Sequence, residues 1–295
     1  MKNNKATIFL IVLLALTIIA LIFFMITMIN KKHHSYFRLG FITKRIEELQ
    51  IEETYKNTYD KINIVTDAAD IEIKKSENED IYLKIYSEKD RSKVLDNETE
   101  LNIEVTQKKC VGLCINNKIS KVELYLPENY NKEINIDNKY GDIEIASFEN
   151  INFDIKEDAG DIKIEKANIV NINNNYGDIK INEIKNGTIK ESAGDVEIQK
   201  VDSIDIKNNS GDVKITEINE YVKIDGDAGD IKIEKLNITK DSSIDTNVGE
   251  VTISKTNDIF IDAETDVGKA KIEENNNKSQ ITLKIESNVG DIKVN

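Results

Sequence analysis

The sequence predicts an all-β protein, a β-solenoid of 17–22-residue repeats (β-helix-like or β-roll-like), preceded by one transmembrane α-helix. Three observations predict it: glycines recur through the second half, apolar residues alternate between them, and an uncharged apolar stretch lies near the N-terminus. The repeat is marked by Gly141, Gly160, Gly177, Gly194, Gly211, Gly229, Gly249, Gly268 and Gly290. A recurring period of this size is typical of one structural unit stacked on copies of itself.

Between the glycines the apolar residues are spaced as in strands. In the copy that begins at Gly160 they are Ile162, Ile164, Ala167, Val170 and Ile172, with Lys, Glu and Asn between them. A spacing of two places alternate side chains on opposite faces, and β-branched residues favour a packed, pleated surface. One unit is too small to bury its own apolar face, so we expect stacked units to align their Ile and Val side chains into ladders. A sandwich of antiparallel hairpins is the alternative.

Each glycine of the repeat is expected to provide a positive φ at a corner between strands. The Asp that follows most of them can accept hydrogen bonds from backbone N–H groups in the turn. A calcium ladder is a second interpretation of these residues, but calcium-binding β-rolls use a nine-residue Gly-rich repeat, which is absent here. The turn role is therefore preferred for Asp142, Asp161, Asp178, Asp195, Asp212, Asp230 and Asp291.

The first 29 residues predict a membrane anchor. A short tail, residues 1–5, precedes residues 6–29, which carry no charge and are long enough to cross a hydrocarbon core of about 30 Å as a helix. Lys31 and Lys32 follow with no small-residue cleavage site, which favours an uncleaved anchor over a signal peptide. Basic residues flank both sides, and the positive-inside rule alone would place the repeats in the cytoplasm. The N-terminal position of the anchor and the family resemblance described below favour an extracellular repeat domain in a single-pass protein of the cell membrane.

The region between anchor and repeats has two parts. Residues 30–57 are predicted to form a stalk or linker, with a short helix from Ile42 to Tyr55. Residues 58–130 alternate like strands but lack the glycine period, so we expect an N-terminal β cap before the repeats of residues 131–295. Within the cap, the stretch from Asp67 to Ile73 looks like a degenerate first repeat, with Ala69 in the position of the glycine.

The charge balance excludes one class of partner. The chain has 54 acidic and 40 basic residues, and none of the acidic residues precedes Glu47. Nucleic-acid binding needs clustered Lys and Arg on a positive surface, so we expect no nucleic-acid partner.

The two cysteines, Cys110 and Cys114, lie between two predicted strands. In an exported domain they could close a small disulfide-bonded loop, or they could be two free thiols. A metal site would need two more ligands, and the histidines, His33 and His34, lie beside the predicted membrane segment.

No arrangement of residues indicates catalysis. Nucleophilic hydrolases need a base near the nucleophile, and the carboxylates of the repeats alternate with Lys as on a solvated surface. The arginines, Arg38, Arg45 and Arg91, all lie outside the repeats. We therefore predict no catalytic, cofactor-binding or metal-binding residues and no enzyme activity, with a carbohydrate-active β-helix enzyme as the weaker alternative.

Several motifs resemble a known family. The run Val122-Glu-Leu-Tyr-Leu-Pro127 is followed by Tyr140-Gly-Asp-Ile-Glu-Ile145 and by serial Ala/Ser-Gly-Asp-Ile/Val strands beginning at Ala159, Ala193, Ser210 and Ala228. This pattern is similar to the bacterial β-strand-repeat "putative adhesin" family, a domain of unknown function, over residues 58–295. The resemblance implies the repeat fold and a frequent association with a membrane segment. Glu250 and Lys269-Ala270 depart from the pattern in the last repeats.

Together these features predict a membrane-anchored envelope module without enzyme activity, adhesin-like or acting as a sensory or scaffold domain. Its expected partners are the membrane and an unidentified envelope protein or wall polymer. The alternative is a solenoid that faces the cytoplasm and self-assembles end to end. It is motivated by the chain stopping within a strand, Gly290–Asn295, because an exposed strand edge favours pairing.

Overall fold

The computed structural model describes residues 45–107 and 118–295. The predicted anchor, most of the predicted stalk and both cysteines lie outside these residues. Among the residues described, no helix has the length and apolar character needed to span a membrane.

Every regular element in the described residues is a β-strand. The N-terminal strands are β1 Arg45–Ile46, β2 Leu49–Tyr55, β3 Lys61–Thr66, β4 Ala69–Lys75, β5 Ile81–Tyr86, β6 Ser92–Asp96, β7 Glu100–Val105 and β8 Lys118–Leu126. The central strands are β9 Glu133–Tyr140, β10 Ile143–Ser147, β11 Asn152–Ala159, β12 Ile162–Tyr176, β13 Ile179–Ala193, β14 Val196–Ser210, β15 Val213–Ala228 and β16 Ile231–Leu236. The C-terminal strands are β17 Ser242–Val248, β18 Val251–Ile253, β19 Phe260–Val267, β20 Ala270–Ile272, β21 Thr282–Val289 and β22 Ile292–Val294.

The predicted β-solenoid is confirmed, with about nine turns. Strands of successive turns pair in parallel and in register, so that Ile162 lies beside Ile179 and Ile179 beside Val196. In each turn, the residues that follow a repeat glycine form one face of the solenoid, and the residues that precede the next glycine form the other face. Because the repeats pair in parallel, the sandwich of antiparallel hairpins is wrong for this region.

The core is formed by the apolar columns that the repeat predicts. In the turn after Gly160, Ile162, Ile164, Ala167, Val170 and Ile172 are all buried. Burying one such Ile or Val side chain contributes about 1.5–3 kcal/mol relative to leaving it exposed. Because the columns continue through the neighbouring turns in a single apolar cluster, each turn supplies the wall on which the next one packs.

The N-terminal end departs from the parallel pattern. Strand β5 pairs antiparallel with both β2 and β8, and β6 pairs antiparallel with β7. The helix predicted from Ile42 to Tyr55 is wrong for its described part, since β2 covers Leu49–Tyr55. Ile51 and Tyr55, four residues apart on one face of β2, pack against the core, and pairing with β5 holds the strand there. The last residues of the predicted stalk thus belong to the folded body.

The C-terminal end differs from the expected order. Strands β21 and β22, the last in the chain, lie between the turn of β17–β18 and the turn of β19–β20, and pair in parallel with both. The final residues are therefore inside the stack. The expectation of an exposed edge at the chain end is wrong, because the outermost turn is formed by β19 and β20.

A loop side chain covers part of that outermost turn. The Asn275 amide accepts a hydrogen bond from the Ile261 N–H (2.9 Å) and donates one to the Ile261 carbonyl (2.8 Å). The amide thereby takes the place of a neighbouring strand at one residue of β19. Asp262 and Glu264 on the same strand are exposed, and acidic side chains on an edge disfavour edge-to-edge pairing.

Candidate functional site

All nine glycines of the repeat lie at one corner of the solenoid, here called the glycine corner, where the chain passes from one face to the other. Seven of them have φ between 130° and 154°, a region that side chains rarely allow. The positive φ expected at every corner is not found at Gly160 and Gly194. A second constraint explains these two residues.

That constraint is the close approach of backbones between turns. A Cβ atom on Gly160 would lie 1.8 Å from the carbonyl oxygen of Gly141, and one on Gly194 would lie 1.9 Å from that of Gly177. At the first repeat, a Cβ on Gly141 would lie 2.2 Å from the carbonyl oxygen of Ala69, which occupies the equivalent position. The glycines are thus required by contact with the neighbouring turn as well as by the turn conformation.

Hydrogen bonds join the corner from turn to turn. The Gly160 N–H donates to the Tyr176 carbonyl (2.9 Å), and the Ile162 N–H donates to the Asp178 carbonyl (2.9 Å). The same two bonds recur at the following turns. The corner is therefore a continuation of the sheet, and its backbone groups are satisfied by the next turn.

The acidic residues after the glycines form a ladder of their own. The Asp195 Oδ1 atom accepts the N–H of Asp212 (2.8 Å), whose Oδ1 in turn accepts the N–H of Asp230 (2.9 Å). The ladder runs through Asp70, Asp142, Asp161, Asp178, Asp195, Asp212, Asp230 and Glu250. Each Asp carboxylate of the ladder thus bonds to the backbone of the next turn, whereas the bond expected from the sequence lay within its own turn.

Beside the glycines runs an exposed column of mainly apolar residues, here called the corner stripe. It consists of the residues immediately before the glycines: Tyr140, Ala159, Tyr176, Ala193, Ser210, Ala228, Val248, Val267 and Val289. Tyr140 is 59% exposed and Tyr176 is 63% exposed, two turns apart and so about 10 Å from each other at the usual strand spacing. Val248, Val267 and Val289 are also exposed, in consecutive turns. Contiguous exposed apolar surface is a feature of interaction sites.

A polar column flanks the stripe on the side away from the aspartate ladder. Its amides bond to acceptors of adjacent turns: Asn175 donates to Asp158 (3.1 Å), and Asn247 donates to Asp227 (2.7 Å). The corner stripe thus lies between two series of carboxylate and amide groups that repeat with the turns.

The outer faces of the solenoid carry paired charges. A shallow depression on the face after the glycines is lined by Lys163, Glu165, Lys180 and Glu197. Lys163 forms ion pairs with Glu144 (3.2 Å) and Glu165 (3.0 Å). Within residues 45–107 and 118–295, no group of three or more His, Cys, Asp or Glu side chains is arranged to hold a metal ion.

The structure therefore brings the predicted glycines and aspartates together at one corner, whereas Cys110 and Cys114 lie outside its described residues. The corner stripe was not predicted as a site. Its signal is present in the sequence, because the residue before each repeat glycine is Tyr, Val, Ala or Ser. Tyr221, the remaining tyrosine of the repeats, lies elsewhere, opposite Ser203 of the previous turn.

Comparison with known proteins identifies the repeat region. The family model described as Toastrack DUF4097 matches residues 59–295, which include nearly all of the predicted cap and all of the repeats. No curated protein matches the chain.

Solved structures with some likeness come from three bacteria. A "putative adhesin" from Bacteroides fragilis is 17% identical, with 83% of this chain and 96% of that chain covered and a TM-score of 0.44. A "putative lipid binding protein" from Parabacteroides distasonis is 15% identical, covering 85% and 100%, with a TM-score of 0.44. A "putative cell adhesion protein" from Clostridium sporogenes is 15% identical, covering 84% and 99%, with a TM-score of 0.24. None is similar enough for its ligand to be transferred to this chain.

Proposed function

This chain belongs to the Toastrack DUF4097 family, and from that premise we propose that it is a non-enzymatic binding module of the bacterial cell envelope. Residues 6–29 anchor it in the membrane, and the solenoid faces the outside of the cell. The single observation that carries the binding role is the corner stripe, a column of exposed Tyr and Val side chains at equivalent positions of successive turns.

The geometry of the stripe favours an extended partner with its own repeat. Tyr140 and Tyr176 offer aromatic faces two turns apart, and polar side chains recur beside them at every turn of about 4.8 Å. A polysaccharide of the cell wall offers matching chemistry, since its sugar rings have apolar faces for the tyrosines and hydroxyl groups that donate to carboxylates. The acidic ladder would repel an anionic polymer, so a neutral polymer is the better fit.

The arrangement of charges supports binding over catalysis. Catalytic acids and bases are typically placed in clefts with partners that perturb them. On the outer faces the carboxylates instead pair with lysines, as at Lys235 and Glu217 (2.6 Å) and at Lys166 and Glu149 (3.0 Å).

The binding proposal is tested with the full-length protein in detergent micelles and purified, insoluble wall polysaccharide. Co-sedimentation should give saturable binding that is at least about tenfold weaker in the Tyr140→Ser, Tyr176→Ser double variant, since tyrosines often dominate an interface. The matched control is Tyr221→Ser, which removes a tyrosine of the repeats at another position and should bind as the wild type does. Equal binding by wild type and double variant would contradict the role of the stripe.

The location is tested separately by adding protease to intact cells and detecting the C-terminal turns. Digestion from outside is expected. Protection in intact cells with digestion after lysis would contradict an extracellular solenoid and would favour the alternative that faces the cytoplasm.

A further inference from the structure

A second polar column runs inside the solenoid, where its neighbours in each strand are buried Ile and Val. Its members pair in register across successive turns and are Thr66, Asn138, Glu157, Asn174, Glu191 and Asn208. All six are buried, and Glu157 and Asn174 are fully inaccessible. Buried carboxyl groups are rare unless they are paired or hydrogen-bonded, so this column needs a chemical explanation.

Part of the column is already a directed series of hydrogen bonds. The Thr66 hydroxyl donates to Asn138 Oδ1, and the Asn174 amide donates to Glu191 Oε2 (2.8 Å). At the far end, the Asn208 amide donates to the Gly211 carbonyl (2.9 Å). Thr66 and Asn174 thus donate to the next turn in the C-terminal direction, while the Asn138 amide donates to the Ala69 carbonyl of the preceding turn (3.1 Å).

The series is interrupted where a glutamate is followed by an asparagine. Glu157 Oε2, Asn174 Oδ1 and Asn208 Oδ1 are buried without a hydrogen-bond partner in the described structure. Glu157 is the register neighbour of Asn174, and Glu191 is the register neighbour of Asn208. Carboxylate and amide oxygens are both acceptors, so neither can satisfy the other. One proton on each glutamate would provide the missing donor in both places.

We propose that Glu157 and Glu191 are protonated in the folded protein at mildly acidic pH, and that their hydroxyls donate to Asn174 Oδ1 and Asn208 Oδ1. The column is then one continuous chain of hydrogen bonds from Glu157 through Asn174, Glu191 and Asn208 to Gly211. Loss of the two protons in mildly alkaline medium leaves two buried charges and destabilises the middle turns.

The surroundings of both glutamates favour the neutral form. Burial raises the pKa of Glu157 to about 8, and the negative charges of Asp158 and Asp142 add to this increase. Burial likewise raises the pKa of Glu191 to about 7, with Asp178 adding to it. Hydrogen bonds from Asn138 and the Ala159 N–H to Glu157, and from Asn174 and the N–H groups of Ser192 and Ala193 to Glu191, act in the opposite direction. Among the described residues, the charged neighbours that shift these two pKa values, Asp142, Asp158 and Asp178, are all acidic.

The direction of the pH dependence follows from these shifts. A glutamate in the unfolded chain has a pKa of about 4.3, so the folded protein binds more protons between this pH and the raised values. The stabilisation is fully present below the unfolded pKa and is lost as the pH rises through about 7 and about 8. Over the intermediate range, each of the two glutamates makes the unfolding constant increase by up to about tenfold for each unit by which the pH rises.

The experiment compares denaturant unfolding of the full-length protein from pH 5 to pH 9 with that of the Glu157→Gln, Glu191→Gln double variant. A glutamine amide donates to the same asparagine oxygens at every pH, so the variant should lose most of the decline in stability that the wild type shows between pH 5 and about pH 8. The control Glu264→Gln, at an exposed position of β19, should keep that decline. Equal pH dependence in wild type and double variant would overturn the proposal.

A second measurement decides the matter if the double variant does not fold. In wild-type protein with 13C-labelled glutamate carboxyl groups, two resonances should titrate near pH 7 and pH 8. Titration of all glutamate resonances below about pH 5 would overturn the proposal.

Discussion

The two corners of each turn differ in whether the number of residues that form them can vary from one repeat to the next. At the glycine corner the count is constant: the residue two positions after each repeat glycine, such as Ile162 after Gly160, lies at the same register position in every repeat. At the second corner, between the two faces of a turn, the count varies. Strand β15 carries one more residue there than β14, with a register shift between Val201 and Ser203, and β16 and β17 are separated by residues 237–241. All variation in repeat length is therefore taken up at one corner.

The difference has a steric cause. At the glycine corner, backbone lies against backbone, with carbonyl oxygens about where a Cβ would be. At the second corner the contacts are made by side chains such as Ala167, Ile184 and Val201, which are buried but can adjust. Where side chains separate the turns, an additional residue bulges outward, whereas the glycine corner has no space for one.

Insertion of one residue should give the largest difference between the two corners. One glycine inserted between Gly177 and Asp178 would shift both ladders of the corner by one position and turn the following strand's apolar side chains outward. We expect loss of cooperative unfolding, measured by circular dichroism in denaturant. The matched control is a glycine inserted between Lys185 and Asn186, where β15 already has an additional residue, and should cost about 1 kcal/mol. Similar losses from the two insertions would contradict the distinction between the corners.

Addition of a single methyl group at the glycine corner should have the next largest effect on the free energy of unfolding. Gly194→Ala places a Cβ 1.9 Å from a backbone oxygen that cannot move freely, so we expect about 3 kcal/mol of destabilisation or more. Gly187→Ala is the matched control, because its Cβ would come too close only to the terminal methyl groups of Ile204 and Ile184, which can move, and would lie at an ordinary contact distance of 3.7 Å from the Val170 carbonyl oxygen. That variant should change the free energy of unfolding by about 1 kcal/mol or less. Equal effects in denaturant titrations would show that backbone contact does not set the glycine requirement.

Removal of one step of the aspartate ladder should give the smallest effect. Asp195→Ala takes the acceptor from the Asp212 N–H, and we expect a loss of about 1 kcal/mol, since one hydrogen bond is removed at a solvated position. Asp195→Asn keeps an oxygen at this place and should be nearly neutral in the same titration. Equal losses for Asn and Ala would indicate that charge, and not the acceptor, is what the ladder requires.

Much of the solenoid was predictable because its pattern is local and repeated. The glycine period and the Ile and Val columns specify parallel, in-register turns, since each turn can pack only on a copy of itself. The inner polar column was also within reach: Asn138, Glu157 and Asn174 stand two residues after buried isoleucines, so strand alternation places them inside. Because these residues are polar, they would ordinarily be assigned to the solvent-exposed face. The strand β2 was missed because the spacing of four between Ile51 and Tyr55 suits one face of a helix as well as one face of a strand, and only pairing with β5 decides between them.

The order of the last turns could not be read from the repeat itself. Residues 260–272 and 282–294 carry similar patterns, and either could have followed the turn of β17–β18. A signal did exist in Ala263 and Lys269-Ala270, which replace the larger apolar and acidic residues of other turns. Small apolar side chains are sufficient in a turn that packs against only one neighbouring turn, and Ala263 and Ala270 belong to the outermost turn.

The placement of β21 and β22 within the stack has a consequence for synthesis of the protein. A growing chain that has reached residue 281 has made β19 and β20, yet the turn on which they rest in the finished solenoid is still missing. These strands must then wait unattached or occupy a position that they later give up. Completion of the solenoid therefore depends on translation of residues 282–295, and a chain without them would lose an interior layer together with the support of the outermost one.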